Sequence, residues 1–176
     1  MRKNKIPIKK VQIAFSNAIK RRDCRCMVRD FEPCYGQLEC SHFFTQGANP
    51  SLMFYPPNAY AQCSRHHWNH HNKKESANVY KNWLLENHFE EAQFMAQHRN
   101  NFIKYTDELK AEIIRLCNAD KLDELQKLKD KGYHRDMVSM QGLGYKEILD
   151  YLYKDSNIYL DRKYKKYLEI KDFLGK

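Results

Sequence analysis

The sequence predicts a mostly helical α+β protein, and three observations carry that prediction. Apolar residues recur at helical spacing at the start of the chain and again over its second half. Between these stretches lie two short extended pieces, residues 37–44 (QLECSHFF) and 58–63 (NAYAQC), parted by a long loop rich in turn residues. Five of the six cysteines stand between residues 24 and 63, and four of the eight histidines follow within six residues, in CSRHHWNHHN at 63–72. Cysteines so crowded, in a chain with no secretory signal, point to metal rather than disulfides.

The first helix covers residues 8–22, where Ile8, Val11, Phe15 and Ile19 form one apolar face. It ends in Lys20-Arg21-Arg22, cations suited to a helix C-terminus and able to meet phosphates. Residues 23–62 lose the helical period and hold Pro33, Gly36, Gly47, Pro50 and the Pro56-Pro57 pair. Helix resumes near His66. Residues 76–100 read as one or two helices broken near Asn87-His88. Over 101–131, Leu109, Ile113, Leu116 and Cys117 share a face, and Leu122, Leu125 and Leu128 lead a further helix. Two domains are expected, a metal-bearing one over 1–100 and a helical one over 101–176.

The chain has 176 residues and a net charge of +9. Residues 1–100 carry +7 of this, 101–150 are near neutral, and 151–176 carry +3. A basic front half fits a polyanionic partner, of which nucleic acid is the commonest. Arg21, Arg22, Arg65, Lys73 and Lys74 are the candidate DNA-contacting cations. No apolar run approaches a membrane span, and the basic start lacks a signal-peptide core, so a cytoplasmic protein is expected.

The histidine cluster divides by spacing. His67 and His71 are i and i+4, so a helix puts both on one face, where they could bind one ion. His66 and His70 form a second such pair, rotated by about 100°. Cys63-x-x-His66 is a chelating spacing for a structural zinc that needs two more ligands. Cys24 and Cys26 are the nearest pair, with Cys34 and Cys40 in reserve. Cys40 is read as a packed side chain, and Trp68 as a core anchor. Upstream, His42 closes the first extended piece after Glu39, Cys40 and Ser41, and Asn58 opens the second.

A strand, a loop, a strand and a helix bearing His, Asn and His in that order resembles the ββα-metal site of HNH endonucleases. The stretch LECSHFFTQGANPSLMFYPPNAYAQCSRHHWNHHN is similar to the NinG (Rap) recombination nucleases of lambdoid phages. The likeness extends over residues 8–100. It includes the Arg21-Arg22-Asp23 run and the helix bearing Tyr80 and Trp83.

The resemblance implies a metal-dependent DNA endonuclease, with branched recombination intermediates among its substrates. His42 would be the general base, Asn58 would hold the loop that aims it, and His67 would bind a catalytic Mg²⁺ or Mn²⁺. Spacing adds His71 as a further ligand. Glu39 is another candidate ligand, because Ser41 stands where many HNH sites carry an acid or histidine. Two further departures are Cys24-x-Cys26 in place of Cys-x-x-Cys, and Gln46 with Leu52–Phe54 where relatives carry arginines. The rival reading is a zinc-dependent DNA-binding protein that does not cut.

In the C-terminal region, Val138, Gly142 and Ile148 fit the spacing of a helix-turn-helix over 122–153, with a plain helical hairpin as the alternative. A last basic helix over 159–174 carries Arg162, Lys163, Lys165 and Lys166, which could grip phosphates or form a solvated face.

Overall fold

A computed structural model describes residues 5–101 and 103–134, with side chains described as far as residue 130. The described residues belong to a compact unit, Met1–Gln141. The helix-turn-helix reading beyond residue 134 and the helix expected at 159–174 lie outside them.

Helix α1 is Ile8–Asp23, and it buries Val11, Phe15, Ala18 and Ile19. It stops at Cys24, whose left-handed backbone (φ 56°) lets its N–H donate to the Lys20 carbonyl. Strands β1 (Leu38–His42) and β2 (Ala59–Cys63) pair antiparallel, with Leu38 opposite Cys63 and His42 opposite Ala59. All five residues of β2 are buried, so it lies inside the unit, whereas β1 is half-covered.

Helix α2 (Ser64–Asn72) leaves β2 directly. Helices α3 (Lys74–Asn87) and α4 (Phe89–His98) follow, broken at His88 as the sequence predicts. They bury Tyr80, Trp83, Leu84, Leu85 and Met95, and Trp83 meets Tyr60 of β2 edge-on at 4.8 Å. The described part is therefore α+β and mostly helical. None of its helices is long and apolar enough to cross a membrane.

Helices α5 (Asp107–Asn118) and α6 (Leu122–His134) belong to the same core as α1. Ile113, Leu116, Cys117, Leu122 and Leu125 cluster with Val11, Phe15, Ile19 and Phe54. The start of α5 is capped by Thr106, which accepts the Leu109 N–H. Asp107 accepts the Ile6 N–H at 3.2 Å, and Lys110 donates to the Ile6 carbonyl. At the other end, Arg21 donates to the Cys117 carbonyl and to Asp120. Matched ends make α1 and α5 run side by side in the same direction. The packing thus crosses residue 100, where the sequence suggested a domain boundary.

The β1–β2 loop is long, yet it is ordered by contacts along its length. Asn58 is fully buried and accepts the Phe44 N–H (2.8 Å) while donating to the carbonyls of Phe44 and Leu52. Lys129 of α6 is buried and donates to the Ser51 carbonyl and the Tyr105 hydroxyl; burial pulls its ammonium down to about 7.

Leu116 is 2% exposed between α1 and α6. Leu116→Ala should lower the unfolding free energy by about 2–5 kcal/mol through the cavity it leaves. The variant should still unfold in one transition when circular dichroism and tryptophan fluorescence are compared in urea, because α5 completes the core beneath α1.

Candidate active site and metal centre

Four ligand atoms of Cys26, Cys34, Cys63 and His66 lie within 4.8 Å of one another. Zinc–ligand bonds of about 2.3 Å to sulfur place tetrahedral ligands about 3.8 Å apart, so these four could hold a metal ion such as zinc. His66 directs Nδ1 at the sulfurs, 3.2 Å from Cys26 and 3.9 Å from Cys34. Its Nε2 faces the Glu32 carboxylate at 3.9 Å. Burial lowers its pKa and favours the neutral ligand form.

The three thiols respond to one another. Desolvation and the neighbouring sulfurs push Cys34 up to about 12. Burial raises Cys26 as well. Burial also opposes the Cys63 thiolate, but hydrogen bonds from the His66 and Tyr35 backbones and from the other two thiols outweigh it and lower its pKa. A divalent cation would relieve this crowding of incipient thiolates.

The ligand set corrects one sequence expectation, because Cys34 takes the place given to Cys24. Cys24 caps α1, and its exposed Sγ lies 2.8 Å from the Arg21 carbonyl. Cys34 returns to the cluster because its loop is fastened to the start of α2. Ser64 N donates to the Gln37 carbonyl, Arg65 N to the Tyr35 carbonyl, and Tyr35 N to Cys63 Sγ. Gly36 makes the turn at φ 84°, where a Cβ would come within 2.9 Å of Ser64 Cβ. Spacing along the chain favours the nearer cysteine and carries no trace of this fold-back.

His42 occupies the end of β1, 7% exposed, with its ring 5.8 Å from that of Phe15. Its Nε2 lies 2.9 Å from the Met53 carbonyl, which can only accept. Nε2 therefore carries the proton and Nδ1 the lone pair. Gln46 Nε2 donates to Nδ1 at 3.1 Å, and Gln46 Oε1 accepts from Gln12 of α1 at 2.8 Å. Burial pushes the imidazole down to about 4, so it is neutral at physiological pH. The ring opens on a cleft of about 490 Å³ between α1 and β1.

On helix α2, His67 Nδ1 lies 2.6 Å from Glu39 Oε2, and its Nε2 lies 3.1 Å from His71 Nε2. Glu39 is thus the acceptor that orients His67, the usual support of a metal-binding imidazole. Two nitrogens about 2.1 Å from one ion, at right angles, stand about 3.0 Å apart. The pair fits a single ion once His71 gives up the Nε2 proton. His67 holds Glu39 below the usual carboxylate range, with help from Ser64 and more weakly from Lys20. His70 is turned inward to Ser41 Oγ (3.2 Å) and to the Tyr80 ring, stacking on His71.

The candidate cations divide. Arg22 donates to the Pro56 and Ala59 carbonyls, pairs with Asp23 and lies over the Tyr60 ring, while Arg21 serves α5. Both are tied to acceptors within the protein and still stand exposed at its surface. Arg65, Lys73 and Lys74 are exposed on the α2–α3 side. Trp68 is 59% exposed, not a core anchor. Cys40 packs against the core, as expected, and burial raises its thiol to about 12. Gln46 and Gln12 escaped sequence reasoning, since a lone glutamine carries no spacing signal.

No family model matches the chain, and no solved structure matches it significantly. The chain is similar over short stretches to curated tRNA dimethylallyltransferases. The enzyme of Clostridioides difficile (strain 630) is 58% identical over 31 residues, 18% of this chain and 10% of that one. The enzyme of Lachnoclostridium phytofermentans is 53% identical over 38 residues, 22% and 12% of the two chains. The chain thus spans about a tenth of the length of these relatives.

Two outcomes follow from the geometry. Purified, metal-replete protein should hold about one zinc per chain by elemental analysis. Cys34→Ser should lose it together with folding stability, whereas Cys24→Ser should keep it. Second, His42 has a folded pKa of about 4 against an ordinary 6.5. Between those values the unfolded chain takes a proton that the folded chain refuses, so stability falls as pH falls, by about 1.4 kcal/mol per pH unit for this group. Urea titrations from pH 6.5 to 4 should show a shallower loss in His42→Asn than in wild type; equal slopes would remove His42 from the linkage.

Proposed function

We propose that this protein is a metal-dependent HNH endonuclease that hydrolyses DNA phosphodiester bonds, of the kind used in phage recombination or DNA processing. The observation that carries the reading is the state of His42. It is neutral, its Nε2 is pinned by the Met53 carbonyl, its Nδ1 keeps the lone pair, and its ring lines a cleft. It sits on an antiparallel hairpin whose loop is fastened by Asn58 and whose second strand runs into the helix bearing His67 and His71.

In this reading His42 Nδ1 takes the proton from a water molecule as the water oxygen attacks phosphorus. The P–O3′ bond breaks, and the departing oxygen leaves as a 3′ hydroxyl once protonated. The attacking water takes the position at Nδ1 held by the Gln46 amide, so Gln46 turns aside when substrate is seated. Asn58 keeps Met53 where its carbonyl selects the reactive tautomer. His67 and His71 would hold a divalent ion, which when bound stabilises charge on the phosphate and the leaving oxygen. Two imidazoles suit a transition-metal ion better than Mg²⁺, which prefers oxygen ligands. Glu39 keeps His67 in its ligating tautomer. Zinc on Cys26, Cys34, Cys63 and His66 would staple the 24–36 loop to the base of α2. The short matches to tRNA dimethylallyltransferases cover too little of either chain to enter the proposal.

The test is cleavage of supercoiled and branched DNA with Mn²⁺ or Mg²⁺. Wild type should cut in a metal-dependent way, and His42→Ala should be slower by about 10²–10⁴-fold. Binding without cleavage in any metal, or an unaltered rate in the variant, would instead support a zinc-dependent DNA-binding protein that does not cut.

A further inference from the structure

Helix α1 has two faces of different chemistry. One is core. The other carries Lys9, Gln12, Ile13, Ser16 and Lys20, spaced so that all line the wall of the cleft onto which His42 opens. No carboxylate lines this cleft. Among the described residues, neither the Lys9 nor the Lys20 ammonium has a carboxylate within ion-pair distance, in contrast to Lys110, Lys121, Arg21 and Arg22. Ile13 is 54% exposed on the same wall, an apolar side chain open to contact.

The wall also joins the two halves of the candidate site. Gln12 reaches Nδ1 of His42 through Gln46. At the other end, Lys20 lines the same cleft as Cys40 of β1, the neighbour of Glu39, which holds His67. From Lys9 to Lys20 the helix rises about 16 Å, which is about five steps of a B-form strand. Two free cations, polar side chains between them and an acid-free floor form a surface complementary to a run of phosphates.

We infer that the cleft between α1 and β1 seats the DNA strand to be cut by its phosphates, with Lys9 and Lys20 as charge contacts and Ser16 and Gln12 between them. This rests on the nuclease reading and deepens it. It places the backbone grip on the face of the helix that carries Lys9 and Lys20, rather than on Arg21 and Arg22, which bond to protein acceptors. These contacts carry no base identity, so binding through this wall is indifferent to sequence.

The experiment measures binding of a short fluorescent DNA duplex across a salt series, in the His42→Ala protein so that cutting does not interfere. Lys9→Gln/Lys20→Gln should weaken binding by the same factor on unrelated sequences and make the slope of log K against log salt shallower by about 2. Lys121→Gln/Lys127→Gln, just before and on α6, makes the same change in net charge and should leave the slope unchanged. Lys9→Arg/Lys20→Arg should restore it. In the active protein, the Gln pair should raise KM with little change in kcat. An unchanged slope in the Gln pair, an equal loss in the α6 control, or no duplex binding by the parent overturns the inference. The His42→Ala cleavage comparison judges the nuclease reading separately, so either can fail alone.

Discussion

The arrangement around His42 depends on a single buried amide. Asn58 has no solvent contact and still satisfies its carbonyl and both amide hydrogens, on Phe44 and on Leu52. A buried amide left unpaired costs about 1–3 kcal/mol per group, so loop paths that leave Asn58 unpaired are disfavoured. The path it selects brings the Met53 carbonyl to His42 Nε2. The tautomer of the candidate base is therefore a consequence of a hydrogen bond five residues further along the chain. Lys129 holds the same loop from α6, at the Ser51 carbonyl. A segment long enough to wander is thus given one shape from inside and from outside.

Burial around this loop has a chemical result. A buried imidazole beside Phe15 loses its charged form first, and the folded protein keeps it as a neutral base over the range in which an exposed histidine titrates. The histidines of α2 are treated differently along one turn. His66 is drawn to sulfur, His67 to a carboxylate, His70 to Ser41 and Tyr80, and His71 back to His67. A helix turns about 100° per residue, so four histidines in six positions cannot share one environment. The helical period sorts them into a sulfur site, an inner packing role and a paired-imidazole site.

Much of this was legible in the sequence because it is local. The period of α1, the break at His88, the hairpin pieces and the i, i+4 pair on α2 all follow from neighbours along the chain. So does the pairing of Cys63 with His66, three residues apart. Cys34 was not legible, because its partnership with Cys63 spans a fold-back that depends on Gly36 and on two backbone hydrogen bonds. The bonds of Arg21 and Arg22 to backbone carbonyls were not legible either, because charge is visible in sequence while carbonyl partners are not. The role of Glu39 could be named only as a candidate ligand; geometry made it the support behind His67. Trp68 follows the same rule, since its exposure depends on which face of a short helix the core claims.

Helix α1 shows why the fold and the proposed chemistry are hard to separate. Its apolar face completes the core with α5, and its C-terminal arginines clamp β2 and α5. Those clamps hold the helix in a fixed position beside β1, which makes the width of the cleft a property of the core. The outer face of the helix carries Lys9 and Lys20, which have no carboxylate partner among the described residues, while its inner face buries Phe15 and Ile19. On the proposed reading, a charge change at Lys9 or Lys20 would act on the ligand, while a cavity beneath α1 would act on cleft and core together. Electrostatic contact and packing can therefore be told apart by side of the helix, although they share its backbone.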